Sequence, residues 1–218
     1  MTKLDKVPQI RFKGFVNDWE QQSLGNVTKL RGGYAFSKEQ YKKTGLKIVR
    51  ISNILSNNTI GGDFVYTDYR NDLIDFEINH DDILIAMSGA TAGKIAQYKT
   101  TKNEIYYQNQ RTGLFQRNIN YIYNYLYTLL QTDDFNKLLA TKLSVGAQPN
   151  FSGRDIEDFI FMVTKDKNEQ TKIADLFTNL NSLITLNQRK LASLTQIKTS
   201  LLDKMFVSES ESKPKIRF

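Results

Sequence analysis

The segment "SGATAGKI" (Ser88 to Ile95) is the closest approach in this chain to a catalytic motif, because it follows a strand-like run and combines two glycines with a lysine. A nucleotide-binding P-loop needs four residues between its glycines and a Ser or Thr after the lysine, so that the backbone wraps the phosphates and a hydroxyl holds magnesium. Here three residues separate Gly89 from Gly93, and Ile95 follows Lys94. The spacing argues against a P-loop and predicts a hairpin connection with a basic tip.

Other residue types that support catalysis are scarce. Cysteine is absent, which excludes disulfides, thiolate metal sites and cysteine nucleophiles. The single histidine, His80, is interpreted as a turn residue before a strand, and the acidic pair Asp81 and Asp82 as solvated turn residues. The sequence contains neither a G-x-S-x-G elbow nor a glycine-rich loop suited to a dinucleotide or S-adenosylmethionine. We therefore expect no catalytic residue, no metal site, no cofactor and no enzymatic activity of the chain by itself.

Three loops instead carry residues suited to recognition, in a chain with a net charge of +7 and a pI near 9.4. They are "KLRGGYAFSKEQY", "YYQNQRTG" and "SVGAQPNFSGR". Asn and Gln can recognise adenine and Arg can recognise guanine in the major groove of DNA, while basic side chains and amides bind phosphates. Each loop alone is more typical of ordinary turns, but together they predict a DNA-binding face. Its expected residues are Arg31, Tyr34, Lys38, Lys94, Asn109, Arg111, Gln148 and Asn150.

The first 165 residues have the pattern of a mixed, β-rich globular domain. Short segments rich in β-branched and aromatic residues, bounded by Gly, Asn or Asp, predict strands within 46–54, 61–68, 81–89, 93–99 and 104–116. Helical spacing predicts one helix over 119–143 and a short helix with a start signal at Ser152. We therefore expect an α+β fold, with a recognition domain over residues 1–165.

From Glu169 onward, the pattern predicts one long coiled-coil helix within residues 166–207. No proline or glycine occurs between Lys167 and Phe206. Such a helix cannot bury its apolar stripe on itself and needs a partner helix, in the same chain or in another. The expected interface positions repeat in heptads: Ile173, Phe177, Leu180, Ile184, Asn187, Leu191, Leu194, Leu201 and Met205. Asn187 and Lys198 are polar positions of this repeat, and either they are tolerated defects or they fix the register of pairing.

A short repeat links the two ends of the chain. "VPQIRFKGF" (Val7 to Phe15) is echoed by "KPKIRF" (Lys213 to Phe218) after the polar stretch "VSESESKPK". Chance similarity is the simplest explanation for so short a repeat, but a duplicated module would also produce it. We interpret residues 208–218 as a linker followed by the start of a second recognition domain.

Composition also favours a cytoplasmic location and argues against a membrane. The lack of cysteine agrees with a reducing compartment. The N-terminus has no apolar run of signal-peptide length, and no run of 18 apolar residues occurs anywhere in the sequence.

The ordered combination of these segments resembles the specificity subunit of type I restriction–modification enzymes. The segments that carry the resemblance are "IRFKGFVNDWEQQSLGNVTKLRGG", "LKIVRISNI", "DDILIAMSGATAGKIAQY", "YYQNQRTGLF", "LSVGAQPNFSGRDIEDFIF" and the long helical segment from Asn168 to Phe206. The resemblance covers nearly the whole chain. One departure is "FIFMVTKDKNEQ", where the family usually has a proline-containing segment before the Glu-Gln pair.

The resemblance implies a non-catalytic DNA-recognition subunit. In that family each recognition domain recognises half of a split DNA site. The long helices pack antiparallel and dock the methyltransferase subunits, through which the restriction subunit joins. This chain resembles half of such a subunit, so the resemblance implies a homodimer on double-stranded DNA. The competing interpretation is a coiled-coil adaptor without sequence-specific DNA binding.

Overall fold

The computed structural model describes residues 7–100, 104–143, 150–206 and 213–217. The chain divides into two compact units, Met1–Ala174 and Asp175–Phe218. The first unit is a mixed α and β domain, and the second contains most of one long helix. The α+β fold with a long C-terminal helix is therefore confirmed.

The described part of the chain contains ten short strands and five α-helices. The strands are β1 (Glu20–Ser23), β2 (Leu30–Gly32), β3 (Leu46–Val49), β4 (Val65–Thr67), β5 (Glu77–Ile78), β6 (Ile83–Ala86), β7 (Ile95–Gln97), β8 (Tyr106–Gln108), β9 (Thr112–Phe115) and β10 (Ile160–Val163). The helices are α1 (Leu24–Val27), α2 (Tyr123–Leu129), α3 (Asp133–Leu143), α4 (Gly153–Glu157) and α5 (Lys167–Met205).

The strands form two four-stranded sheets and one two-stranded ribbon. The first sheet has the order β2-β9-β6-β7 and is antiparallel throughout. The second sheet has the order β4-β3-β8-β5 and is mixed, because β3 and β8 run parallel. In the ribbon, β1 pairs with β10, which brings the start of the domain next to the segment that leads into α5.

The layers follow from the two-residue period of the strands. In β6, Ile83 and Ile85 join the apolar cluster formed with the helices, whereas Leu84 and Ala86 face the cluster shared with the second sheet. The second sheet has a third, smaller cluster around Tyr107 on its other side. The first sheet thus lies between the helices and the second sheet, and all four residues of β6 are buried.

The connection after β6 is a hairpin, as the sequence predicts. Strands β6 and β7 pair antiparallel, and a 3-10 turn at Gly89–Thr91 lies between them. The interpretation of Asp82 as a solvated residue is wrong. Its carboxylate is buried, accepts a hydrogen bond from Asn79 N at 2.8 Å, and has a pKa raised by burial.

Two predicted elements are interrupted by side chains that bond to the backbone. The strand expected over 46–54 ends at Val49, because Asn53 accepts a hydrogen bond from Arg50 N and closes a 3-10 turn. The helix expected over 119–143 is two helices. Thr132 caps the second helix, α3, because its hydroxyl accepts a hydrogen bond from Phe135 N. This side-chain bond replaces a backbone bond of a continuous helix, so the helix is interrupted here.

The starts of α4 and α5 follow from capping. The Ser152 hydroxyl accepts a bond from Asp155 N, and the Asp155 carboxylate accepts one from Ser152 N, which forms the predicted start signal. Asp166 caps α5, because its carboxylate accepts hydrogen bonds from Asn168 N and Glu169 N. This cap occupies the place of the proline-containing segment that is usual in the family the sequence resembles. Among the helices described, none has the length and apolar character needed to cross a membrane.

Candidate nucleic-acid interface

The glycine pair at the end of β2, Gly32 and Gly33, carries the chain from one sheet to the other. Arg31 pairs with Leu114 in the first sheet, and Tyr34 N then donates to Gln108 O at 2.9 Å beside the second sheet. A Cβ atom on Gly33 would lie 2.2 Å from the carbonyl oxygen of Asn109, so only glycine fits this close approach. The first two recognition loops are therefore fixed against each other by their backbones.

Gln108 ties these loops together from inside the domain. Its fully buried amide donates to the carbonyl oxygens of Arg31, at 3.0 Å, and Thr112, at 2.8 Å. Its oxygen accepts bonds from the Arg31 guanidinium at 3.3 and 3.1 Å. Gln108 is therefore a structural residue, and all the bonds of this amide are internal.

Arg31 itself is half-buried. Besides Gln108, its guanidinium donates to the carbonyl oxygen of Glu77 at 3.3 Å, and burial lowers the pKa of Arg31 below its ordinary value. Arg31 is predicted to bind DNA, but its guanidinium is already hydrogen-bonded to groups of the protein itself.

The turn between β8 and β9 presents two long polar side chains. The carbonyl oxygen of Asn109 accepts bonds from both the amide and the hydroxyl of Thr112, which closes the turn tightly. Asn109 is buried in this turn, with 8% of its surface exposed. Gln110 and Arg111 are exposed at its tip. Arg111 is thus placed for outward contact, whereas Asn109 is held largely within the protein.

A cleft of about 740 Å³ lies between this turn and the β6–β7 connection. Arg111 O accepts a bond from Met87 N at 3.0 Å, and Met87 O accepts one from Phe151 N at 3.2 Å. Ser88 also pairs with Asn150. These contacts bring the second and third recognition loops together. The cleft is lined by Met87, Ser88, Gln110, Arg111, Asn150 and Phe151, together with small residues.

A second cleft, of about 480 Å³, lies at the other end of the same connection and contains Lys94. Its polar lining includes Asn58, Gln131 and Asn136, and its apolar walls include Leu130, which follows α2, and Leu139 and Leu143 of α3. Gly93 has a φ of +87°, and a Cβ on it would lie 2.4 Å from Leu139. The connection is therefore packed closely against α3 just where Lys94 leaves the turn.

The two clefts share an electrostatic character. Among the described residues that line them, each cleft has one cation, Arg111 or Lys94, accompanied by side-chain amides and no carboxylate. A cation without a neighbouring acid attracts an anion such as a phosphate, and amides can donate and accept hydrogen bonds with base edges. We define the recognition face as these two clefts and the Met87–Lys94 connection between them.

The remaining predicted residues lie in other places. The Tyr34 ring packs edge-to-face against Phe36 and Phe76 at centroid distances of 4.8 and 5.5 Å, beside Arg70. Lys38 is exposed on a separate 3-10 turn and does not line either cleft. Gln148 lies outside the described residues. Sequence reasoning missed Ser88 and Gln110 as cleft residues, although the polar "QNQR" segment pointed to Gln110.

The predicted interface positions of α5 in the second unit are exposed, apart from the half-buried Met205. Phe177, Leu180, Ile184, Leu191, Leu194 and Leu201 are between 41% and 66% exposed. Ile173 differs, because it belongs to the first unit and packs against the apolar cluster of the helices. A stripe of apolar side chains thus remains uncovered along α5 from Phe177 onward.

Within the described residues, no group of three or more His, Asp or Glu side chains is placed to hold a metal ion.

Solved structures with the same fold are specificity subunits of restriction systems. The S subunit of a type I restriction-modification system from M. genitalium is 17% identical, with a TM-score of 0.58 over 88% of this chain and 46% of that one. The HsdS subunit from Thermoanaerobacter tengcongensis is 15% identical, with a TM-score of 0.57 over 91% of this chain and 46% of that one. The chain therefore shares the fold of these two structures.

A third structure, from work on assembly and conformational transition of the type I R-M system, is 15% identical, with a TM-score of 0.59 over 88% of this chain and 47% of that one. The chain spans about half the length of these solved structures. No curated protein matches the sequence significantly. The family described as the type I restriction modification DNA specificity domain matches residues 16–196, and the chain belongs to this family.

Proposed function

We propose that this chain is a non-catalytic recognition subunit of a type I restriction–modification system, which binds half of a bipartite site in double-stranded DNA. The observation that carries the proposal is the recognition face, with its two clefts that each combine one cation with amides and have no carboxylate among their described lining residues. Family membership over residues 16–196 supports the same function.

The two clefts suit different parts of a duplex. Arg111, Gln110 and Asn150 in the larger cleft provide donors and acceptors that can pair with purine edges in the major groove. Lys94 in the smaller cleft is suited to a phosphate. Its ammonium group is a point charge on a flexible stem and can contact a phosphate oxygen without a fixed geometry. Phosphate contacts position the protein, and base contacts provide the sequence preference.

The long helix provides the assembly function in this proposal. Its uncovered apolar stripe pairs with the α5 of a second copy in an antiparallel dimer, and the paired helices dock methyltransferase subunits and, through them, the restriction subunit. Because a two-fold dimer presents two identical recognition faces, the preferred DNA site is symmetric and interrupted. Chemistry on the DNA then belongs to the partner subunits.

Selection from random duplex DNA tests the recognition function. The chain is incubated with a random library at low salt, and the retained duplexes are sequenced. An enriched bipartite motif is the expected result. Retention without enrichment, or no retention at low salt, would contradict sequence-specific binding and favour the coiled-coil adaptor. Light scattering of the same sample at micromolar concentration tests the dimer separately, since a monomeric mass would contradict it.

A further inference from the structure

Two polar positions interrupt the apolar stripe of α5, and both have unused bonding capacity. Asn187 donates from Nδ2 to the carbonyl oxygen of Leu183 in its own helix, at 2.9 Å. That bond leaves the side-chain oxygen of Asn187 available as an acceptor. Lys198 is exposed, and no ion pair or hydrogen bond to its ammonium occurs among the described residues. An acceptor and a donor therefore lie on the same stripe, three helical turns apart.

Antiparallel pairing of two identical helices permits only a small set of registers. The apolar stripe repeats in heptads, so the facing residues of one register are displaced by a whole heptad in the next. In one of these registers, Asn187 faces Lys198 of the second copy. The same register places Ile184 opposite Leu201 and Leu191 opposite Leu194, and the stripe then pairs from Leu180 to Met205.

The neighbouring registers leave the polar groups without partners. If the facing residues of the second helix are displaced by one heptad towards its N-terminus, the two helices overlap over a greater length. That register, however, places Asn187 opposite Leu191 and Lys198 opposite Leu180. It also places Lys190 beside Lys190 of the second copy, and like charges at such flanking positions repel. A shift in the other direction places Lys190 beside Lys204 of the second copy and Lys198 opposite Leu194. Burial of an unpaired amide or ammonium is costly, so both alternatives are disfavoured.

We propose that Asn187 and Lys198 fix the register of the α5 homodimer, with the ammonium of Lys198 donating to the side-chain oxygen of Asn187 from the second copy. The inference rests on the proposed homodimer. Two such bonds form in each dimer, because the two-fold axis repeats the pair. They select one register at a cost in apolar contact, which is the known effect of a single polar residue in a coiled-coil seam.

Cysteine cross-linking tests the register directly, because the chain has no cysteine of its own. One variant carries Ile184→Cys with Leu201→Cys, which face each other across the proposed dimer. The matched variant carries Ile184→Cys with Leu194→Cys, which face each other only in the register of greater overlap. A disulfide needs Cβ atoms about 3.8 Å apart, so a displacement of one heptad separates the sulfurs completely. Under mild oxidation, we expect covalent dimer from the first variant at least tenfold faster than from the second.

The outcomes separate the register from the dimer itself. Faster cross-linking of the Ile184→Cys and Leu194→Cys variant would overturn the proposed register while leaving the homodimer intact. A dimeric mass with no cross-link in either variant would also overturn it. A monomeric mass for the unmodified chain would contradict the homodimer on which the register depends.

Removal of the polar pair provides a second measurement. With Asn187→Leu and Lys198→Leu added to both cysteine variants, nothing polar in the seam selects the shorter overlap. We expect the ratio of the two cross-linking rates to fall by at least fivefold. The variant with Ile184→Cys and Leu194→Cys should then form more cross-linked dimer than it does with the polar pair present. An unchanged preference would show that these two residues do not set the register.

Discussion

Glu169, in the first turn of α5, is completely buried and forms a doubly hydrogen-bonded ion pair with Arg11 of the N-terminal segment. Arg11 Nε lies 2.6 Å from Oε1, and Nη2 lies 2.9 Å from Oε2. The neighbouring Gln170 is also buried, and it bonds to the backbone of Ile122 and Thr164. The Glu-Gln pair thus fastens the first turn of the helix to the recognition domain, and the "IRF" segment provides the arginine.

Replacement of Glu169 by Gln tests this attachment through its pH dependence. Burial raises the pKa of the Glu169 carboxyl, but the bonds and charge of Arg11, together with the side-chain donors of Thr164 and Trp19, outweigh it and leave the pKa below the ordinary value of 4.5. The ion pair therefore stabilises the protein fully above that pH and loses its effect as the pH falls through the depressed pKa. We expect Glu169→Gln to lower the Tm by about 5 °C at pH 7, with the difference shrinking as the pH falls below 4.5 and through the depressed pKa. A pH-independent difference in thermal melts would contradict the role of the charge.

Gly33→Ala tests the close approach of the first two recognition loops. The new Cβ would meet the carbonyl oxygen of Asn109, so the backbone must move, and we expect a loss of about 1–3 kcal/mol in the free energy of unfolding. Gly32→Ala is the matched control, because nothing lies within 4 Å of its Cβ position. Urea titration of both variants provides the comparison. Equal stability of the two would show that the loops adjust freely.

Arg111→Ala tests the larger cleft of the recognition face. With the one cation of that lining removed, we expect affinity for the selected DNA site to fall by roughly 10- to 100-fold, as for loss of a paired contact to a base. Lys13→Ala removes the same charge from an exposed position that lines neither cleft. Fluorescence anisotropy at fixed salt measures both. If Arg111 were replaced, alone or together with Arg31, without any loss of binding, the recognition face would be wrongly placed.

Lys94→Ala and Asn150→Ala should have different effects on DNA binding. A phosphate contact carries no sequence information, so Lys94→Ala should weaken binding to all duplexes and reduce the slope of affinity against salt by about 1. An amide that pairs with a base edge provides preference, so Asn150→Ala should relax one position of the selected motif. Repeated selection with each variant separates the two roles. A motif relaxed by Lys94→Ala would reverse the assignment.

Leu191→Lys tests the apolar stripe of α5. A lysine in the middle of a paired seam is buried without a partner, so we expect dimer dissociation to become at least roughly 100-fold more favourable. Gln196→Lys adds the same charge on the opposite side of the helix and should leave the dimer intact. Light scattering across a dilution series measures both variants. Dissociation by Gln196→Lys alone would place the interface on the other face.

The spacing of apolar residues was sufficient to predict the long helix, because a helix of this length is specified by local periodicity and by the lack of proline and glycine. The Ser152 cap and the β6–β7 hairpin were predictable for the same reason, since their bonds join residues close in sequence. The break at Thr132 was not predicted, because a single side-chain hydroxyl decides it against a continuous helical pattern. Buried Asp82 was misjudged because solvent exposure depends on what packs over a turn.

The sequence by itself determined the composition of the recognition loops, the α+β class and the seam of α5, which are all properties of residue type and short spacing. Only the tertiary structure decided which of the predicted residues meet. It places Arg111 and Asn150 around one cleft and Lys94 in another, and it directs Arg31 inward to Gln108. The physical reason is that these neighbours are joined by backbone contacts between segments distant in sequence, such as the isolated bridge between Ser88 and Asn150.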